Sequence, residues 1–263
     1  MYIGIDVGGT NIKIASFDGL SNPKIVEFEK FDVNNDYKLD LKNILHTVDK
    51  LSSEELKGVG IGIPGTLEDE NKEVVICPNL LDWNGRKIVH DLENEFTCPV
   101  KAENDTTLAA IGEATYGGGR DQEFVFFIWG TAIGGTEIKL SGGKLVVDRF
   151  EPGHQIVEGG KELEAIVGGA GIKRNFGKGA EDLEEENWNK ILPVMAKGIT
   201  NVLVVRPTKL VIFGGGVALN KSEKVYRLRS LLKDYLKIYP VPKFKISSLG
   251  EHAALFGALT LFE

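Results

Sequence analysis

The chain has 263 residues, with 31 basic against 38 acidic side chains and a net charge of −7. Its length suits one large domain or two small ones that fold without disulfide or metal staples. Hydrophobic residues at 42 % exclude wholesale disorder, and the acidic balance argues against nucleic acid or an anionic membrane surface as partner, since both need a basic face. No run reaches the roughly 18 apolar residues that span a bilayer. The opening MYIGIDVGG has neither the basic nor the apolar region of a signal peptide. Cys77 and Cys98 fit no zinc ribbon and no redox CxxC. They read as two small buried thiols in a reducing cytoplasm.

In chain order, Tyr2–Val7 alternates as a strand, turns at Gly8-Gly9-Thr10, and continues into a second strand over 12–17 and a third over 24–31. Leu41, Ile44, Leu45, Val48 and Leu51 recur at helical spacing. A buried strand over 59–63 ends in Pro64-Gly65, a helix is expected over 87–96, a short strand over 100–102 and a helix over 106–116 stopped by three glycines. Residues 124–129 form a continuous apolar run, fit for a strand covered on both faces. The loop Gly130–Gly135 follows, then strands over 136–140 and 144–147. An acidic run over 181–186 reads as a solvated helix start, which suits the positive end of a helix dipole. Trp188 to Leu203 then marks the face of a long helix. A strand over 209–213 runs into Gly214-Gly215-Gly216, before a helix from Val225 to Tyr239, a strand over 244–247 and a last apolar helix over 252–262. Strands alternating with helices predict an α/β fold, and each half opens on a strand, a glycine turn and a second strand.

Glycine, at 32 residues, stands out in composition. Asp6-Val7-Gly8-Gly9-Thr10-Asn11-Ile12-Lys13 lies between two strands, where backbone N–H groups can approach an anion. Thr10 adds a hydroxyl, Lys13 a point charge, and Asp6 a carboxylate able to hold a metal ion directly or through water. An ordinary glycine hairpin reads the same way. Neither a Walker A loop nor GxGxxG fits. Gly130-Thr131-Ala132-Ile133-Gly134-Gly135 echoes this first loop, and Gly214–Gly216 offers a flat backbone for a purine or ribose. In Glu103-Asn104-Asp105-Thr106, Asp105 ends a strand where ligands of α/β sheets bind and where a carboxylate can take a hydroxyl proton. Taken alone, helix capping is the stronger explanation of Asn and Asp there. Glu151, His154 and Glu164 are polar groups of the kind that bind sugar hydroxyls.

The ordered set DVGGTNIK (6–13), GIPG (62–65), END (103–105), GTAIGG (130–135), EPGH (151–154) and GGG (214–216) resembles the ROK family, whose kinase members phosphorylate sugars. The resemblance covers essentially the whole chain. It implies the two-domain actin-like, ribonuclease H-like fold of the sugar kinase/Hsp70/actin superfamily, with an interdomain cleft. The domains are expected over 1–106 and 107–249, with residues 250–263 packing back on the first. It implies ATP-dependent phosphorylation of glucose or a related hexose at its 6-hydroxyl. Asp105 would be the general base, and Gly65, Asn79, Asn104, Glu151, His154 and Glu164 would bind the sugar. Gly8, Gly9, Thr10, Lys13, Thr131, Gly214 and Gly215 would bind nucleotide, and Asp6 would orient Mg²⁺. The alternatives are a kinase for an N-acetylated hexosamine or fructose, a kinase using polyphosphate, and a non-catalytic sugar sensor. The expected partners are a sugar, ATP and a second copy of the chain, in the cytoplasm.

Three departures from the family pattern stand out. The cysteine-rich zinc loop that usually follows the histidine is replaced by the cysteine-free stretch 155–163, so no zinc is expected. The second glycine loop carries Ala132 where glycine is usual, which would strain a positive φ. No helix-turn-helix precedes the first strand, which disfavours the repressor branch.

Overall fold

The computed structural model describes residues 1–68 and 73–263. They form two compact units, residues 1–116 with 252–263, and residues 117–251. The boundary expected at residue 106 falls inside a helix that belongs wholly to the first unit, so the division comes at Tyr116 and Gly117.

The first unit is built on a five-stranded sheet. β1 (Tyr2–Val7), β2 (Asn11–Phe17) and β3 (Ile25–Asp32) form an antiparallel meander. β4 (Gly58–Ile63) joins β1 in parallel; β5 (Thr66–Leu67) and β6 (Val74–Ile76) form a small hairpin, and β7 (Val100–Asn104) runs parallel to β4. The order is β3-β2-β1-β4-β7. α1 (Tyr37–Leu51) starts four residues before the first residue of the apolar stripe read from sequence, because the Asp36 side chain accepts from the Leu39 N–H at 3.1 Å and caps it. Ile44, Val48 and Leu51 then face the core. α2 is only Ile88–Glu93, shorter than the helix expected over 87–96. α3 is Asp105–Thr115.

The second unit repeats the plan with β8 (Phe124–Trp129), β9 (Ile133–Ser141) and β10 (Lys144–Phe150) as a meander. α4 (Leu163–Val167) and α5 (Gly169–Phe176), a region without clear periodicity in the sequence, precede α6 (Glu185–Val205). β11 (Leu210–Gly214), α7 (Gly216–Asn220), α8 (Ser222–Tyr235) and β12 (Lys243–Ile246) complete the unit. The strand order is β10-β9-β8-β11-β12, with β8, β11 and β12 parallel. α8 ends at Tyr235, so Tyr239, expected in that helix, lies beyond its end and is exposed.

The last helix, α9 (Ala253–Leu259), is shorter than the expected 252–262, with single 3₁₀ turns at both ends. It packs on β1, β4 and α3 of the first unit. Glycine makes that approach possible: a Cβ at Gly257 would sit 1.9 Å from the Leu108 carbonyl oxygen, and one at Gly112 2.2 Å from that of Ala253.

Each unit has its own core. Ile3, Ile5, Ile61 and Trp83 lie in the first and Phe127, Trp129, Trp188 and Phe213 in the second, all fully buried. Burial of each such side chain contributes about 1.5–3 kcal/mol. No helix among the described residues is long and apolar enough to cross a membrane.

Candidate functional site

In the first unit the parallel strands β1, β4 and β7 finish side by side. Asp6 is level with Gly62, and Gly62 with Glu103. The pairing runs on to Ile63 level with Asn104, and the Gly8-Gly9-Thr10 turn and Asp105 follow directly after the ends of β1 and β7. The carboxyl edge of the sheet, where α/β folds bind ligands, therefore carries the glycine turn and Asp105 two strands apart. At the usual strand spacing that is about 10 Å of backbone.

Asp105 is the first residue of α3. The cap is its neighbour: Asn104 Oδ1 accepts from the Thr107 N–H at 3.1 Å, which leaves the Asp105 side chain outside the capping position. Asn104 is buried, and its amide donates to the carbonyls of Gly65 at 3.2 Å and Ile63 at 3.4 Å. One Asp105 oxygen accepts from the Thr106 N–H at 2.7 Å. Gly65 has φ +93°, and a Cβ there would lie 2.0 Å from the Ile76 carbonyl oxygen. Only glycine fits that corner. Asn79 is exposed on the loop after β6.

The glycine turn of Gly8-Gly9-Thr10 is closed by the Gly8 N–H donating to the Asn11 carbonyl at 2.9 Å. Asn11 is already in the strand. Asp6 and Lys13 face each other across β1 and β2, and Lys13 Nζ donates to Asp6 Oδ2 at 2.9 Å. Cys77 is buried near Asp105; burial first, then that carboxylate, pushes its thiol from 9.0 up to about 11. N–H groups of Leu80 and Asn79 act in the opposite direction.

In the second unit the loop expected over 130–135 is shorter, because Ile133–Gly135 already belong to β9. The remaining turn, Gly130–Ala132, is clamped. The N–H groups of Gly169 and Ala170 at the start of α5 donate to the carbonyls of Gly130 at 2.7 Å and Thr131 at 3.0 Å. Ala132 is not among the residues with positive φ, so its methyl brings no backbone strain. β8 and β11 end together, and a Cβ on Gly130 would lie 3.8 Å from Gly215 Cα, so the second and third glycine loops meet. Gly215 has φ +86°, and a side chain there would strike the Trp129 carbonyl at 2.6 Å.

The sugar-type cluster is more open. Glu151 is exposed and paired with Arg149. His154 Nδ1 lies 3.3 Å from Glu162 Oε1, and Glu164 Oε2 accepts from the Ile133 N–H at 3.2 Å. His154, Glu162 and Glu164 offer ligand atoms within 4.8 Å of one another, a set of one imidazole and two carboxylates with no thiolate. Glu162 escaped the sequence reading. An isolated bridge between Ile156 and Glu162 folds it back beside His154, and nothing in the spacing signals that. The clamp from Gly169 and Ala170 was equally silent.

The profile of the ROK family matches residues 2–263. Among curated proteins, a glucokinase of Thermotoga maritima is 25 % identical, with 99 % of this chain and 96 % of that protein covered. An N-acetylgalactosamine kinase, AgaK, of a Shewanella species is 24 % identical, with 99 % and 96 % covered. A ROK family glucokinase from Streptomyces griseus, solved in complex with glucose and AMPPNP, superposes with a TM-score of 0.84 at 22 % identity, covering 99 % and 98 % of the two chains. That likeness establishes the α/β fold of the chain. Matched along its whole length by the family profile and in its fold by a solved member, this chain belongs to the ROK family.

Proposed function

We propose that this protein is a sugar kinase that transfers the terminal phosphoryl group of ATP to the 6-hydroxyl of a hexose. The observation that carries the reading is the row at the carboxyl edge of β1, β4 and β7, with Asp105 two strands from the glycine turn and held out of the capping role by Asn104. Phosphoryl transfer asks for in-line positioning and for neutralised phosphate charge, with little covalent work by the protein. Asp105 accepts the hydroxyl proton as the oxygen attacks the terminal phosphorus and the bond from that phosphorus to the bridging oxygen breaks, releasing ADP; the carboxyl then gives the proton up to water. Asn104, Gly65 and Asn79 are assigned to binding sugar hydroxyls, and so, by their chemistry, are Glu151, His154 and Glu164. Gly8, Gly9, Thr10, Lys13 and Thr131 hold phosphate oxygens, and Gly214 and Gly215 lie against the adenosine.

Asp6 fits Mg²⁺, because that ion takes one or two carboxylates together with phosphate oxygens and water. The bound ion supplies charge neutralisation on the phosphates. Lys13, already against Asp6, keeps that carboxylate aligned and adds its own positive charge.

The relatives support the class of substrate more than its identity, since one is a glucokinase and another an N-acetylgalactosamine kinase. The decisive experiment is a coupled assay with ATP and Mg²⁺ over glucose, mannose, fructose, N-acetylglucosamine and N-acetylmannosamine, repeated with polyphosphate as donor. A 6-phosphorylated hexose is the expected product. Thermal stabilisation by a sugar without any phosphorylated product, from either donor, would establish a binding protein instead.

A further inference from the structure

The charge of the chain is segregated. Ten of its 31 basic residues and two of its 38 acidic ones lie between Arg206 and Lys245, so this segment carries +8 and the remainder −15. The acidic balance of the whole chain therefore does not describe this part of the surface. Some of the cations are spent inside the second unit: Arg206 pairs with Glu137 and Asp148, and Lys224 and Arg227 pair with Glu185. Lys209, Arg229, Lys233, Lys237 and Lys243 are exposed and pair with no carboxylate among the described residues. Between Arg229 and Lys245 the sequence holds a single acidic residue, Asp234.

The topology collects these five at one end of the unit. β11 and β12 are parallel, with Leu210 level with Lys243. α6 feeds β11 and α8 feeds β12, so both connections arrive at the amino ends of the two strands. The Lys243 N–H donates to the Lys209 carbonyl at 2.9 Å, and Arg229 Nε donates to that of Pro242 at 2.9 Å. Leu236 and Pro242 are buried and pin the connection between them, which exposes Ile238 at 66 % and Tyr239 at 40 %. Val205, the last residue of α6, is 74 % exposed at the same end. A nucleic acid backbone rewards the cations but gains nothing from exposed Ile and Val. A bilayer with anionic headgroups rewards both, since apolar and aromatic side chains enter its interface while lysines stay at the headgroups. We propose that this end of the second unit docks reversibly on an anionic membrane surface, with Ile238 and Tyr239 entering the headgroup layer and the five cations facing negative lipids. Gly214 lies at the other end of β11, about 13 Å away, so docking leaves the glycine loops uncovered. The inference does not depend on the sugar kinase reading.

Flotation of the full chain with lipid vesicles at ~50 mM salt, where surface charge is little screened, tests the docking. The chain should float with phosphatidylcholine vesicles holding about a third phosphatidylglycerol, stay behind with pure phosphatidylcholine, and come off the anionic vesicles at ~500 mM salt. Staying behind with the anionic vesicles overturns the proposal. Lys237→Glu with Lys243→Glu should lower the partition coefficient at least ~10-fold. Lys42→Glu, also exposed but on α1, should leave it unchanged. Ile238→Ser with Tyr239→Ser keeps the charge and should lower partition about tenfold through lost apolar contact. The four substituted side chains of this end are exposed, so unfolding midpoints should stay in place and a fall in partition reports the surface itself. Partition that ignores the serine pair, or duplex DNA bound as tightly as the anionic vesicles, marks a general polyanion surface and refutes membrane docking.

Discussion

The polar residues of the first unit and those of the second are held in different ways. Asn104 is buried, and its two amide ends are spent on Thr107, Gly65 and Ile63, so Asp105 beside it is placed by backbone. Glu151 and His154 stand exposed and lean on the charges of Arg149 and Glu162. Exposed ion pairs are worth about 0–1 kcal/mol, and a buried amide left without partners costs about 1–3 kcal/mol. The first unit therefore fixes geometry, while the second holds side chains that small changes can re-aim. In the proposed kinase, proton acceptance at Asp105 draws on the first kind of support, and sugar discrimination by Glu151 and His154 on the second.

The sharpest way to break that contrast is Asp105→Asn. With Asp105 as the base, it should lower kcat at least ~100-fold while sugar binding, followed by thermal shift, survives. Equal loss of binding and turnover would reduce Asp105 to a structural residue. Next, Asn104→Ala should cost about 2–3 kcal/mol through the lost cap and the stranded carbonyls. For a chain of this size that lowers Tm by roughly 4–10 °C, and calorimetry reads it directly. Glu151→Gln should leave Tm within a degree or so, in keeping with an exposed pair. Glu164→Gln should raise the sugar KM about tenfold, because it removes a charge from a carboxylate that also accepts from the Ile133 backbone. An unchanged KM would place sugar recognition elsewhere.

The folded chain holds the Cys77 proton to about 11, against 9.0 for the free thiol, so the buried thiol's contribution is complete below pH 9. It is lost as pH rises from there towards 11. Denaturant midpoints should fall over that window, and Cys77→Ala should flatten the part that begins near pH 9. Tyr37 and Tyr116, also held protonated by burial, act at higher pH. The smallest effect is expected from Ala132→Gly. Nucleotide affinity should change less than about threefold, because Ala132 does not sit in the left-handed region.

Most strands were legible because an apolar alternation or run bounded by glycine has few other readings; β8 and β11 are examples. Boundaries moved where hydrogen bonds outweighed periodicity. Asp36 lengthened α1, and Ile133–Gly135 went into β9 because they pair with β8. The stretch that became α4 and α5 stayed obscure, since short helices rich in glycine carry little periodic signal. Motif order identified the candidate residues, but not what holds them. From sequence alone capping was the stronger reading of Asn104 and Asp105, and the Thr107 N–H shows that Asn104 is the residue that caps.

By itself, the order of glycine turns, carboxylates and alternating strands determined the family and the chemistry available, because those residue types at strand ends have few other uses. Tertiary structure alone brought Glu162 to His154, laid the start of α5 over Gly130 and Thr131, and ended β1 and β7, which lead into the glycine turn and Asp105, on the same side of one sheet. Each of those neighbours is distant in sequence, and only strand pairing and chain reversal make them adjacent.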